Sequence, residues 1–150
     1  MIRRWKDRWH EGRRGAVTVE MALVLPIFTM LVFGIIEFGR GFMIMQLVTN
    51  AAREGCRRAI IDGSTNTDVT SYIQSFMNTS GNVPTSATTV TITVTPAAGN
   101  PANPTSNLAS CQSRDLVTVK VEIPFSAVQL ITAKYLAGKT LKGEAAMRHE

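Results

Sequence analysis

At 150 residues the chain has room for one modest domain, less whatever a membrane segment takes, and none for a large catalytic architecture. A net charge of +5 and a pI near 9.7 raise nucleic acid as a partner. The distribution of that charge excludes it, because residues 1–15 hold Arg3, Arg4, Lys6, Arg8, Arg13 and Arg14 against Asp7 and Glu11, while the remainder carries ten bases and nine acids.

After this basic leader, Ala16 to Ile36 is an apolar run of 21 residues broken only by Thr18, Glu20, Pro26, Thr29 and Gly34. As a helix it spans roughly 31 Å, the thickness of a bilayer's hydrocarbon core. The twenty residues beyond it carry only two bases, Arg40 and Arg53, so the positive-inside rule puts residues 1–15 in the cytoplasm and everything past Glu37 outside. Trp5 and Trp9 suit a leader that rests on the cytoplasmic leaflet. The competing reading, a cleaved secretory signal, lacks a small-x-small cleavage site after Ile36.

The helix is expected to continue over 37–62. Phe38, Phe42, Met45, Thr49, Ala52, Cys56 and Ala59 recur at spacings of four and three and predict one apolar face. Glu54 stands four before Arg58 in the favourable order for an ion pair, and Gly63 ends the helix. In the extracytoplasmic domain, residues 63–150, Val69, Tyr72, Ile73, Phe76 and Met77 predict a short helix closed by Gly81, with Thr65 and Asp68 as a capping box. The period then changes. Val90, Ile92 and Val94 alternate with threonines, Thr95 to Ser110 reads as an exposed loop, and Val117, Val119, Val121 and Ile123 predict a second half-buried strand stopped by Pro124. Ser126 to Leu136 reads as a short helix and Thr140 to Met147 as a last strand. The fold class is therefore α+β: a long transmembrane helix whose amphipathic continuation covers a small antiparallel sheet.

Glu20 has little structural reason to stand at the head of a lipid-crossing helix, since burying a carboxylate near mid-membrane costs roughly 2.5–3.5 kcal/mol. A basic tail with Arg13 and Arg14, then Gly15-Ala16, then Glu20 resembles the type IV prepilin processing site. The likeness is closer to the TadE/TadG-like proteins of the tight-adherence (Flp) pilus system, on Ala22-Leu23-Val24-Leu25-Pro26 and on Asn50-Ala51-Ala52-Arg53-Glu54-Gly55-Cys56-Arg57. The resemblance implies a pilin-like fold, a minor pilin or pseudopilin in a bacterial cytoplasmic membrane, and cutting between Gly15 and Ala16 by a prepilin peptidase. It also implies other pilins and assembly-platform proteins as partners, and a Glu20 that neutralises the new N-terminal amine of a neighbouring subunit. Ala16 departs from the phenylalanine common in major pilins, which bears on N-methylation. The plainer reading of Glu20 is a carboxylate that snorkels toward the interface or toward Arg13 and Arg14.

Other residues read as structural. Pro26 removes a helical donor and is expected to kink the span, and Glu37 with Arg40 is expected to pair at its outer end. Cys56 and Cys111 both fall on the outer side, which predicts a disulfide, the alternative being two free buried thiols. His10 and His149 stand at opposite ends without ligand spacing, so no metal and no cofactor is expected, and no cluster of nucleophile, base or carboxylates points to catalysis on a small-molecule substrate. Three functions compete: an assembled pilin-like subunit, an uncleaved membrane scaffold of a pilus or secretion platform, and a membrane-anchored enzyme. The last has no motif behind it.

Overall fold

The structure is a computed structural model that describes residues 8–129, 136 and 138–149, with the side chains of 8–14 left aside. Trp5, the side chains of Trp9, Arg13 and Arg14, and most of the helix expected over Ser126 to Leu136 therefore lie outside the described residues. α1 (Arg8–Ala59) and α2 (Asn66–Gly81) are followed by β1 (Thr89–Thr95), β2 (Leu116–Pro124) and β3 (Thr140–Arg148). The strands form one antiparallel sheet in sequence order, with β2 in the middle.

α1 is one helix of 52 residues, and it runs through Pro26 unbroken. Most of its apolar run lies exposed, with Leu23, Ile27 and Leu31 at 69%, 72% and 58% of full exposure. From Glu37 onward the same helix becomes the cover of the sheet. Its buried positions are Glu37, Gly41, Ile44, Val48, Ala51, Ala52, Gly55, Cys56 and Ala59. This corrects the expected face: Phe38, Phe42 and Met45 point outward, and the predicted and observed stripes coincide only from Ala52. Small residues carry the contact because they let the sheet come close. A Cβ on Gly143 of β3 would stand 2.8 Å from the Thr49 nitrogen and the Val48 carbonyl carbon, so the strand crosses the helix backbone to backbone.

α2 runs antiparallel along α1, with Ile73 over Gly55 and Gly81 beside Leu47 and Ile44. Its start is the expected capping box: Thr65 Oγ1 accepts from the Asp68 amide at 3.2 Å and donates to the Asp68 carboxylate at 2.7 Å. Its end is a left-handed Asn82 at φ 51°, whose amide returns to the Asn78 carbonyl. On β2 the alternation holds as predicted. Val117, Val119, Val121 and Ile123 are fully buried against the helices, while Lys120 and Glu122 face outward, where Glu122 bridges Lys120 at 3.1 Å and Lys142 at 3.0 Å. α1 ends at Ala59, four residues before Gly63, which supplies a positive φ of 81° in the turn that follows. The expected Glu54–Arg58 pair is replaced by Glu54–Arg57 at 3.2 Å, because the Arg58 guanidinium lies 3.5 Å over the Tyr72 ring.

Candidate functional site

Gly15, Ala16 and Glu20 lie on the exposed part of α1, with no heavy atom within 4 Å of a Cβ built at Gly15. Glycine is the weakest helix former after proline, at about 1 kcal/mol below alanine, so unwinding the backbone there is cheap. Gly15 and Ala16 are thus exposed in α1, at the point where polar tail meets apolar rod.

At the other end of the span, Glu37 and Arg40 do not pair. Arg40 Nε donates to the Val128 carbonyl, which ties α1 to the segment that follows β2. Glu37 is 1% exposed, and neither of its carboxylate oxygens has a hydrogen-bond partner among the described residues. One turn on, Gly41 leaves room for Phe125 and Leu136, which would stand 3.4 and 3.3 Å from a Cβ there. A buried carboxylate without a partner forfeits its hydration. Glu37→Met, similar in length and uncharged, is expected to stabilise the protein by about 1–3 kcal/mol. Thermal unfolding of the detergent-solubilised chain measures this, and a lowered midpoint would reveal a partner for the carboxylate.

The cysteines are two free thiols, which corrects the expected disulfide. Cys56 is fully buried between helix and sheet, and its Sγ–H donates to the Ala145 carbonyl at 2.9 Å. Burial pushes this thiol up from its ordinary value. Cys111 lies in the loop before β2, with its sulfur 3.8 Å from the Asp115 carboxylate, and burial followed by the charge of Asp115 pushes it up as well.

Asp115 is the residue that sequence reasoning missed. It is 2% exposed and accepts from the amides of Gln112 and Ala97, each at 2.9 Å, and from Asn100 Nδ2 at 2.6 Å. These donors, the Gln112 amide foremost, hold its carboxyl below the ordinary range. A single carboxylate thus closes the long loop between β1 and β2. An isolated Asp just before an alternating strand is the only signal for it in the sequence. At the distal end, His149 Nε2 lies 3.5 Å from Asp62, beside an open groove of mixed charge lined by Glu54, Arg57, Arg58 and Asp68. Among the described residues no group of three His, Cys, Asp or Glu is placed to hold a metal ion.

One apolar helix, exposed through its first half and fused to a small α+β domain through its second, fits a single-pass membrane protein. Residues 15–57, from the glycine of the candidate cut to Arg57 within α1, match the family model of the TadE-like proteins. The match agrees with the resemblance to TadE/TadG-like proteins drawn from the residues, and that family is one of structural pilus components rather than of enzymes. No curated protein and no solved structure matches the chain.

Proposed function

We propose that this chain is a minor pilin or pseudopilin that serves the assembly of a tight-adherence (Flp, type IVb) pilus. It is held in the bacterial cytoplasmic membrane with its N-terminus inside and its α+β domain outside, and a prepilin peptidase matures it between Gly15 and Ala16. The observation that carries this reading is the position of Gly15, Ala16 and Glu20 at the exposed head of an apolar helix, at the first residues of the TadE-like match. Its partners are membrane lipid, the peptidase, other pilins or pseudopilins and the assembly platform. In this scheme Glu20 offers its charge to a neighbour's new amine, and the chain works through packing, without catalysis.

A second reading, an uncleaved single-pass scaffold of the same assembly platform, is favoured by one observation: α1 runs helically through the Gly15–Ala16 bond, which a peptidase must first unwind. The intact mass of the protein extracted from membranes separates the two. A chain that starts at Ala16 in cells holding the peptidase, and at Met1 in cells without it, supports maturation; a full-length chain in both supports the scaffold. Glu20→Ala is expected to leave the protein in the membrane and to reduce surface pili at least tenfold by immunoblot of sheared filaments. Unchanged piliation would remove Glu20 from the assembly role.

A further inference from the structure

The exposed apolar surface of α1 does not stop at Ile36. Beyond it, Phe38, Phe42, Met43 and Met45 are 45%, 63%, 53% and 38% exposed, after which the outward positions turn polar at Gln46, Asn50, Arg53 and Arg57. From Val17 to Met45 the helix rises about 42 Å, the 40–45 Å of a bilayer with its headgroup layers rather than the 30 Å of its hydrocarbon core. Charge independently marks an acyl layer inside those limits. Glu20 and Arg40 stand twenty residues apart, about 30 Å along the helix, and the sole charged side chain between them is Glu37. That residue is 1% exposed, covered by the protein's own domain.

We infer that the acyl layer reaches from Met21 to Gly39, so that its outer edge lies at Arg40 and the near end of the domain is seated in phospholipid headgroups. The inference rests on the single-pass reading above and moves the outer boundary from Ile36 by about one helical turn. Phe125 against Gly41 fixes the height of the segment after β2, and the Lys139 carbonyl accepts from the Phe125 amide at 2.8 Å. Exposed Ser126 and Lys139 therefore stand near the level of Arg40, which places two bases at the depth of the lipid headgroups. Glu37 sits within the acyl layer, and the domain is what separates it from lipid. That accounts for a carboxylate in a stretch where the outward surface is otherwise apolar.

The test uses the full chain carrying Cys111→Ser, in which the remaining thiol, Cys56, is fully buried. Leu31→Cys, Phe42→Cys, Asn50→Cys and Ser126→Cys are made singly, nitroxide-labelled and reconstituted in vesicles of equal phosphatidylcholine and phosphatidylglycerol. Paramagnetic relaxation by oxygen reports lipid, and relaxation by a water-soluble nickel complex reports water. Oxygen access is expected to exceed nickel access severalfold at Leu31, to reverse at Asn50, and to lie between those limits at Phe42 and Ser126. Phe42 or Ser126 as nickel-accessible as Asn50, with Leu31 still in lipid, overturns the inference and leaves the single-pass reading intact. Phe42 shielded from both reagents overturns it in favour of a protein neighbour on that face. Nickel access at Leu31 removes the single-pass reading itself.

Discussion

Asp115→Ala is expected to destabilise the domain by about 3 kcal/mol, since the part-buried Gln112 and Ala97 amide bonds and the Asn100 side chain lose their buried acceptor together. For a domain of this size that lowers the thermal midpoint by on the order of 12–24 °C, read by circular dichroism of the detergent-solubilised chain. Asp115→Asn keeps one acceptor oxygen and is expected to fall between. The same residue sets an acid limit. Its folded carboxyl lies below the ordinary 3.8, so the unfolded chain binds more protons as pH falls through that value. Stability from Asp115 is complete above the unfolded value and drains away as acidification proceeds through the folded one. A stability curve for Asp115→Asn that keeps the native slope below about pH 4 would sink this account.

Gly143→Val ranks beside it. A Cβ at this position meets backbone of α1 at 2.8 Å, which no rotamer change relieves, so helix and sheet must separate along their longest contact. We expect a loss of at least about 3 kcal/mol, the upper range for overpacking, and Gly143→Ala already shows most of it. Limited proteolysis and thermal unfolding of the solubilised chain both report the effect. Gly55→Ala and Gly81→Ala provide the contrast: there the nearest atoms are the side-chain ends of Ile73 and Leu47, which can turn aside. A Gly143→Ala midpoint equal to that of the parent would mean that the helix does not lie on β3 as described.

The strands were legible because their signal is local. Val117 to Ile123 alternates without exception, and a two-residue period leaves one choice of inward face. The Thr65 cap was legible for the same reason, as four neighbouring residues complete it. The face of α1 was not, because hydrophobicity alone ranks Phe38, Phe42 and Met45 above Gly41, Ala51 and Gly55. The sheet docks where the helix is thin, and the large apolar side chains are left to meet something outside the protein. Pairing Cys56 with Cys111 failed on similar grounds. A shared compartment permits a disulfide, but helix rotation points Cys56 at the carbonyl of Ala145. Of the candidate site, Gly15, Ala16 and Glu20 were visible as a spaced motif. Glu37 was visible only as a charge, since its burial and its lack of a partner depend on how the chain folds over α1.

The span and the cover of the sheet are one uninterrupted helix, with no linker between them. Phase is therefore conserved from the lipid to the domain: one residue inserted between Ile27 and Gly34 would swing the domain about 100° around the axis and lift it about 1.5 Å. Any neighbour that grips both the rod and the head reads a fixed angle between them, as a key reads the set of its teeth against the shaft.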